Sequence, residues 1–298
     1  MAPQRPVRSW LYAPGNNPKL LERVFTAGAD AVILDLEDAV PPAEKAHARA
    51  LVADAVRARE GIGGPLVTVR VNHPDTGLTE DDVRAVVLHG LDGLRLPKVE
   101  EPATVQQVAA WVAEAEGAQG LPAGEVPLIC SLETARGVWN ALEIAQADPR
   151  LFALTFGAVD FVRDLNLIPG PEELEMLYAR SRLVLAARVA GVRAPVDSVY
   201  PRLQDDEGLE RSTRQGRALG FFGRSAIHPR QIPIINTVYT PSEQEVASAR
   251  EIVEAAAAAE AVGTGALRLP NGDFVDVPVV RRAEGLLRLA DALASDNG

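Results

Sequence analysis

The feature that most restricts the fold is an alternation of short apolar segments with longer stretches of helix-forming residues, repeated eight times. The segments are largely apolar throughout, as strands buried on both faces of a parallel sheet are. Eight strands that alternate with helices predict an α/β protein built on a closed TIM (β/α)8 barrel rather than an open sheet. The predicted strands are 9–12, 31–36, 66–71, 93–96, 126–132, 151–156, 194–200 and 221–227.

The segment after the eighth predicted strand is not required by a barrel. It contains an alanine-rich helix predicted over 242–262, a loop over 269–278 with glycine and proline, and a terminal helix to about residue 294. Alanine has the highest intrinsic helix propensity, which favours the first of these helices. We therefore predict a barrel domain over residues 1–235, followed by a C-terminal helical extension over 236–298 that acts as an arm or lid.

Charge and composition exclude several classes of protein. The net charge is −11 and the pI is near 5.0, so polyanions and anionic membranes are repelled except at a local basic patch. Neither nucleic acid nor a membrane is expected as a partner. Cys130 is the single cysteine, which excludes an internal disulfide. No secretory signal or apolar run of about 18 residues is visible, and we predict a cytoplasmic protein.

Polar residues follow the predicted strands where each strand turns towards its helix. In a barrel these positions face one pocket. Glu133 and Asp160 end successive apolar segments, and two carboxylates completed by water and substrate oxygens suit Mg²⁺. A zinc site is disfavoured, because the chain has four histidines and one cysteine without a cluster. The converging residues are Glu37, Asp38, Arg70, Asn72, Lys98, Glu133 and Asp160.

Arg70 carries the group best suited to an acidic substrate. Its planar guanidinium can hold a substrate carboxylate through two parallel hydrogen bonds. An ion pair with Glu37 or Asp38 is the alternative.

The segment 12–19 suggests a place for phosphate groups. Gly15 opens backbone amides before a predicted helix, and Lys19 lies on the first turn of that helix. Backbone amides at a helix start can bind phosphate. A simple turn is the other interpretation of this segment.

Several motifs together resemble the citrate lyase beta-subunit family of the HpcH/HpaI aldolase and citrate lyase superfamily, which includes malyl-CoA and citramalyl-CoA lyases. The resemblance extends from residue 8 to about residue 276. The motifs are 8–16 (RSWLYAPGN), 35–40 (DLEDAV), 69–72 (VRVN), 96–98 (LPK), 131–134 (SLET), 156–160 (FGAVD) and 226–229 (AIHP).

The resemblance implies a TIM barrel with Mg²⁺ bound by Glu133 and Asp160 and with Arg70 on the carboxylate of a 2-oxo acid. It also implies acyl-CoA thioesters as substrates, and a homotrimer or hexamer in which the C-terminal lid closes over a neighbour's site. An aspartate of the lid acts as acid and base in that family, and the matching residue here is Asp276, in 275–278 (VDVP). Val159 stands where many relatives have an acidic residue, which leaves Asp160 as the metal aspartate.

The remaining site residues are given their roles by the mechanism that the resemblance implies. Glu37 and Asp38 join Arg70 and Asp276 in the catalytic set, where they order water bound to the metal. Asn72 and Lys98 are expected to contact substrate beside Glu133. The residues expected to bind the coenzyme are Arg8, Tyr12, Pro14, Gly15, Asn16 and Lys19.

The predicted reaction is the magnesium-dependent cleavage or formation of a 3-hydroxyacyl-CoA thioester, such as citryl-CoA, malyl-CoA or citramalyl-CoA, with acetyl-CoA and a 2-oxo acid as the other reactants. One alternative is a metal-dependent pyruvate-type aldolase that needs no coenzyme A. Those enzymes place a histidine where this chain has Asp38, which favours the lyase. The other alternative is a non-catalytic subunit that binds an acyl thioester. Oxaloacetate, glyoxylate and pyruvate all remain open as the oxo acid.

Overall fold

The computed structural model describes residues 5–261, 267–268, 272 and 274–295. They divide into two compact units, of which the first includes Val7–Val238 and the second combines Arg5 and Pro6 with the segment from Tyr239 onward.

The first unit is a barrel of eight parallel strands. Neighbouring strands pair in the order β7-β6-β5-β4-β3-β2-β1-β8. Between β7 and β8 the barrel closes at Asp197, which bridges Arg224 and whose carbonyl accepts from the Ser225 N–H at 3.0 Å. The strands are β1 (Ser9–Pro14), β2 (Ala31–Asp35), β3 (Leu66–Arg70), β4 (Gly93–Leu96), β5 (Leu128–Leu132), β6 (Leu151–Phe156), β7 (Arg193–Val196) and β8 (Arg224–Ala226). The predicted TIM barrel with a helical C-terminal region is confirmed.

At least one helix follows each strand of the barrel. They are α1 (Pro18–Arg23), α2 (Lys45–Arg57), α3 (Thr79–Val86), α4 (Pro102–Gln119), α5 (Ala135–Trp139), α6 (Ala141–Ala145), α7 (Ala158–Leu165), α8 (Leu177–Ala190), α9 (Asp206–Leu219) and α10 (Ile232–Tyr239).

The barrel core is built from strands that are buried along their whole length. Every residue of β2, β5 and β6 is buried. A strand in a barrel has one face towards the barrel interior and the other against the helices, so both faces are removed from water. This is why the sequence shows continuous apolar segments instead of alternation.

The predicted start of β8 at residue 221 was wrong, and local backbone conformation also decides where α8 begins and where α5 ends. Strand β8 begins at Arg224 because Gly223 has a left-handed φ of +91°, and a Cβ there would stand 2.5 Å from the Val7 carbonyl oxygen. Helix α8 begins at Leu177, after Glu173, which has a left-handed φ of +51°. The helical segment after β5 is divided into α5 and α6 at Asn140, whose side-chain amide donates to the Glu100 carbonyl at 2.9 Å.

The second unit contains two long helices, α11 (Glu243–Ala261) and α12 (Val277–Ser295). A short antiparallel pair, β9 (Leu267–Arg268) and β10 (Phe274–Val275), precedes α12. Part of the predicted loop, residues 269–271 and 273, lies outside the described residues. Among the helices that the structure describes, none is long and apolar enough to cross a membrane.

Candidate active site

A cavity of about 340 Å³ lies among the C-terminal ends of the barrel strands. This is the end at which parallel strands deliver residues from many loops to one place. Five of the residues predicted from the sequence line it, namely Tyr12, Pro14, Arg70, Glu133 and Asp160.

Glu133 follows β5 and is only 5% exposed. The backbone N–H of Lys98 donates to its Oε1 at 2.6 Å. Among the described residues, no hydrogen bond reaches its Oε2. Gly157 makes room for the side chain, since a Cβ there would stand 2.4 Å from the Glu133 Cβ and 2.6 Å from Oε2. Burial raises the pKa of Glu133 to about 7; the Lys98 amide opposes the rise and the charge of Asp160 adds to it.

Asp160 lies in the first turn of α7, where its Oδ1 is 2.8 Å from Arg163. It lines the same cavity as Glu133. In the described part of the chain, no group of three or more histidine, cysteine, aspartate or glutamate residues is arranged to hold a metal. The residues present are therefore a pair of carboxylates, one with an unpartnered oxygen. Such a pair fits Mg²⁺, which keeps several waters and takes substrate oxygens as further ligands.

Arg70 is held by acidic neighbours. Its Nε and Nη2 donate to the two carboxylate oxygens of Asp35 at 2.7 and 2.6 Å, and Nη1 lies 2.9 Å from Glu37. The guanidinium also stacks on the Tyr12 ring at 4.9 Å. The alternative of an ion pair with Glu37 is thus present, and Asp35, which sequence reasoning missed, occupies one bidentate edge. A substrate carboxylate would have to use the other edge, between Nη1 and Nη2.

Lys98 connects two parts of the site. Its Nζ donates to Glu37 and, at 2.9 Å, to Asp38, while its backbone N–H holds Glu133. The residue has a left-handed φ of +50°, which is unfavourable for a side chain other than glycine. Neither Lys98, Glu37 nor Asp38 is among the residues that line the cavity. Lys98 holds Glu133 through its backbone N–H and Glu37 pairs with Arg70, while Asp38 holds the Lys98 side chain.

The pKa values of the two acids differ because their surroundings differ. Burial raises the pKa of Glu37, against the opposing charges of Arg70 and Lys98. For Asp38, burial also acts upward, but hydrogen bonds from Lys98 outweigh it and lower the pKa.

Asn72 is not among the residues that line the cavity, and its predicted contact with substrate stays a prediction. Its backbone N–H and side-chain amide donate to Asp82 Oδ2 at 2.9 and 2.7 Å. Its carbonyl accepts from the Thr79 hydroxyl at 2.7 Å. Asn72 therefore fixes the start of α3.

Hydrogen bonds within the chain already occupy polar groups of the loop after β1 that a phosphate would otherwise use. The Gly15 N–H donates to the Asp35 carbonyl at 2.8 Å, and a Cβ on Gly15 would stand 2.6 Å from that oxygen. Glycine is needed here for close packing, and its amide is not available to a phosphate. Asn16 donates its side-chain amide to Glu44 at 2.6 Å, and Lys19 is exposed on α1.

Arg8 does not lie near the loop after β1, because it precedes β1 and lies at the amino-terminal end of the barrel. Its Nε and Nη2 donate to the two carboxylate oxygens of Asp30, each at 2.9 Å. The prediction that Arg8 binds the coenzyme is not supported by this position.

Sequence reasoning also missed the polar floor of the cavity. Arg95, in the middle of β4, lines the cavity and donates from Nη1 to the Tyr12 hydroxyl at 3.0 Å and to Ser225 at 3.1 Å. Ser131 and Thr155 share a hydrogen bond of 2.9 Å on the same lining. The available signal was an arginine between two leucines in a strand predicted to be buried.

Asp276 belongs to the second unit, where it precedes α12. Its Oδ1 accepts from the Val279 N–H at 3.3 Å and its carbonyl from the Val280 N–H at 3.1 Å. The residue therefore caps this helix.

Comparison with known proteins identifies the family that has this barrel fold and to which this chain belongs. Residues 8–229 match the model of the HpcH/HpaI aldolase/citrate lyase family, and the chain belongs to this family of lyases. It is 40% identical to citrate lyase subunit beta of Leuconostoc mesenteroides subsp. cremoris over 285 residues, which cover 96% of this chain and 93% of the relative. It is 36% identical to an L-malyl-CoA/beta-methylmalyl-CoA lyase of Cereibacter sphaeroides over 313 residues, covering 98% and 97% of the two chains.

A solved structure extends the comparison to ligands. The protein CitE of Mycobacterium tuberculosis, in complex with magnesium, acetoacetate and coenzyme A, superposes with a TM-score of 0.77 at 31% identity, covering 97% of this chain and 99% of CitE. The prediction of the family and of magnesium as its metal is confirmed by these relatives.

Proposed function

We propose that this chain is a cytoplasmic, magnesium-dependent carbon-carbon lyase that cleaves or forms a 3-hydroxyacyl-CoA thioester such as citryl-CoA, malyl-CoA or citramalyl-CoA, with acetyl-CoA and a 2-oxo acid as the other reactants. The observation that carries the proposal is the unpartnered Oε2 of buried Glu133 beside Asp160, in a cavity that Arg70 also lines. The relatives named for citrate and malyl-CoA chemistry support the substrate class.

Glu133 and Asp160 hold the metal in this proposal. Magnesium, when bound, polarises the substrate oxygens and lowers the pKa of the hydroxyl group. Lys98 keeps Glu133 in place through its backbone N–H, and Glu37 and Asp38 keep Lys98 in place through its Nζ. The edge of Arg70 between Nη1 and Nη2, of which Nη1 also pairs with Glu37, receives the carboxylate of the oxo acid, which fixes the bond that breaks relative to the thioester carbonyl.

Asp276 moves the proton. The Asp276 carboxylate takes the hydroxyl proton as the carbon-carbon bond breaks, which releases the oxo acid and leaves the enolate of the acetyl thioester, and Asp276 then returns this proton to the enolate carbon to give acetyl-CoA. In the reverse direction, the same carboxylate removes a proton from the acetyl group. We place this residue on a lid that a neighbouring subunit of a homotrimer or hexamer supplies.

The coenzyme lies along the loop after β1. Lys19 is exposed and carries the positive charge that the phosphates need, and Tyr12 and Pro14 form the adjoining wall of the cavity. Asn16 lies between them and adds its backbone N–H. The coenzyme A in the CitE complex supports this class of ligand.

The test of the function is a lyase assay on citryl-CoA, malyl-CoA and citramalyl-CoA, each with magnesium and with EDTA. We expect magnesium-dependent release of acetyl-CoA from at least one thioester. A parallel reaction of pyruvate with free aldehydes distinguishes the aldolase. Turnover of aldehydes but of no thioester would overturn the proposal, and binding of acyl-CoA without any turnover would identify a binding subunit.

The role of Asp276 is tested by mixing inactive variants. Asp276→Asn is expected to lose turnover while still binding acyl-CoA, whereas Glu284→Gln on the same helix serves as a matched control with full activity. Co-expressed Asp276→Asn and Glu133→Ala chains regain activity if the lid acts between subunits, because one cavity then has both residues intact. Full activity of Asp276→Asn alone would refute the assignment.

A further inference from the structure

A second cavity lies beside the candidate active site, and the proposed reaction does not use it. We call this cavity the side pocket. It has a volume of about 300 Å³ and shares four lining residues with the cavity that Glu133 and Asp160 line. The two spaces therefore adjoin beyond the ends of β6 and β7. The shared residues are Phe156, Val159, Ser198 and Val199.

Apolar side chains form most of the side pocket. Helix α7 contributes Ala158, Val159 and Val162, which lie on one face of the helix because residues three and four positions apart are neighbours. Val159 is 54% exposed, so its apolar surface is accessible to a ligand. Apolar surface in contact with water is unfavourable, and a concave apolar pocket is the usual form of a small-molecule site. The other apolar lining residues are Phe156, Pro169, Met176, Val199, Tyr200 and Pro201.

The charged residues of the side pocket already have partners of opposite charge. Arg180 lies 2.6 Å from Asp197 and 2.9 Å from Glu173. Arg224 lies 3.4 Å from the same aspartate, and the exposed Arg202 pairs with a further aspartate at 3.3 Å. A charged ligand group would have to displace one of these partners. The side pocket therefore suits an uncharged, apolar group.

The position of the side pocket indicates which part of a substrate enters it. The proposed function places the coenzyme along the loop after β1, and β8 lies between β1 and β7 in the closed barrel. The coenzyme in this position does not fill the side pocket. The oxo acid, in contrast, lies at the metal pair, and Val159 on the shared lining directly precedes Asp160. The group nearest to the side pocket is thus the side chain of the oxo acid.

We infer that the side pocket binds the side chain of the 2-oxo acid, and that the oxo acid this site binds best has an apolar side chain longer than the methyl group of pyruvate. The inference rests on the proposed function for the place of the oxo acid. An apolar cavity of about 150 Å³ is large enough for benzene. The side pocket, at about 300 Å³, has room for a chain of several carbons.

Equilibrium binding tests the inference without catalysis. The probes are pyruvate, 2-oxobutyrate, 2-oxovalerate and 2-oxohexanoate, which differ by one methylene group at each step. Each is titrated calorimetrically into the full chain with magnesium and without thioester. We expect the affinity to rise about threefold to fourfold for each methylene group, as burial of apolar surface provides. Affinities that stay level or fall along the series would overturn the inference, and this is the result if a side chain of another subunit fills the side pocket.

Val162→Phe narrows the side pocket at a residue that is not on the lining of the active-site cavity. Its affinity for pyruvate should equal that of wild type, which also shows that the variant folds, and the rise along the series should be lost. Leu165→Phe is the matched control, because Leu165 lies on the same helix and lines neither cavity. The control should keep the rise. A wild-type rise in Val162→Phe, or an equal loss in both variants, would overturn the inference.

Val162→Thr keeps the test valid if the larger phenylalanine prevents folding. Threonine has nearly the shape of valine but adds a hydroxyl group, to which an apolar chain offers no hydrogen bond. The affinity for 2-oxohexanoate should fall severalfold, while the affinity for pyruvate should not change. An equal fall for both acids, or no fall for either, would overturn the inference.

The outcomes also separate the inference from the proposed function. A rise along the series that depends on Val162, without turnover of any thioester, would exclude the lyase and leave the side pocket as a binding site. Turnover of citramalyl-CoA with equal affinities for pyruvate and 2-oxohexanoate would retain the lyase and exclude the inference.

Discussion

Glu133 should make the metal-free protein less stable at alkaline pH than a variant that lacks its charge. Burial, with the charge of Asp160, raises the pKa of this carboxyl group from 4.5 to about 7. An acid whose pKa is higher in the folded state stabilises the fold below pH 4.5, and this contribution is lost as the pH rises through 7. At about 1.4 kcal/mol for each pH unit between the two values, the loss at pH 8 is about 3 kcal/mol.

Glu133→Gln keeps the shape of the side chain and removes the titration. In EDTA at pH 8 we expect its free energy of unfolding to exceed that of wild type by about 3 kcal/mol. Near pH 4 the difference should disappear, because Glu133 is then protonated in both states. Urea unfolding followed by circular dichroism at several pH values measures this curve.

Glu116→Gln is the matched control with the opposite sign. Glu116 is buried, but its hydrogen bonds with Arg150 outweigh the effect of burial and lower its pKa. Its stabilising contribution is present above its unfolded pKa and lost at acid pH, so the variant should be less stable at pH 8 by about 3 kcal/mol. The reasoning is refuted if Glu133→Gln is less stable than wild type at pH 8, or if its effect does not change with pH.

Three further outcomes follow from the same site. Gly157→Ala should weaken magnesium binding about 100-fold in calorimetry, because the new Cβ displaces Glu133; unchanged affinity would contradict the close packing. Lys98→Gly should be about 1 kcal/mol more stable to urea than Lys98→Ala, because only glycine accepts the left-handed backbone without strain. Equal stabilities would argue against strain at that residue. Magnesium affinity should fall about tenfold for each pH unit below 7, where Glu133 must lose a proton to bind, and remain level above it; a flat titration from pH 5 to 8 would exclude Glu133 as a ligand.

The positions of Glu133, Asp160 and Arg70 could be predicted because parallel strands in a barrel place their carboxyl ends together. That rule depends on strand order and direction alone, and apolar segments reveal both. It does not state which polar neighbour a side chain will choose. Asn72 sits at a strand end like the others, yet Asp82, ten residues further along, accepts both of its N–H groups.

The place of Arg95 on the cavity lining could not be predicted, because the sequence does not show that its described partners are hydroxyl groups and not a carboxylate. A sequence shows that an arginine lies in a strand, but not whether a carboxylate of another strand reaches it. The division between α5 and α6 could not be predicted for a related reason. Asn140 leaves the helical path to bond with the Glu100 carbonyl, a contact that the local sequence around either residue does not reveal.

The bidentate pair of Arg8 with Asp30 fastens the beginnings of two adjacent strands at the end of the barrel remote from the cavity. This ion pair and the cavity therefore lie at opposite ends of the barrel. Substitutions for thermal stability, or attachment to a solid support, can be placed at the amino-terminal end of the barrel without changing the residues that line the cavity.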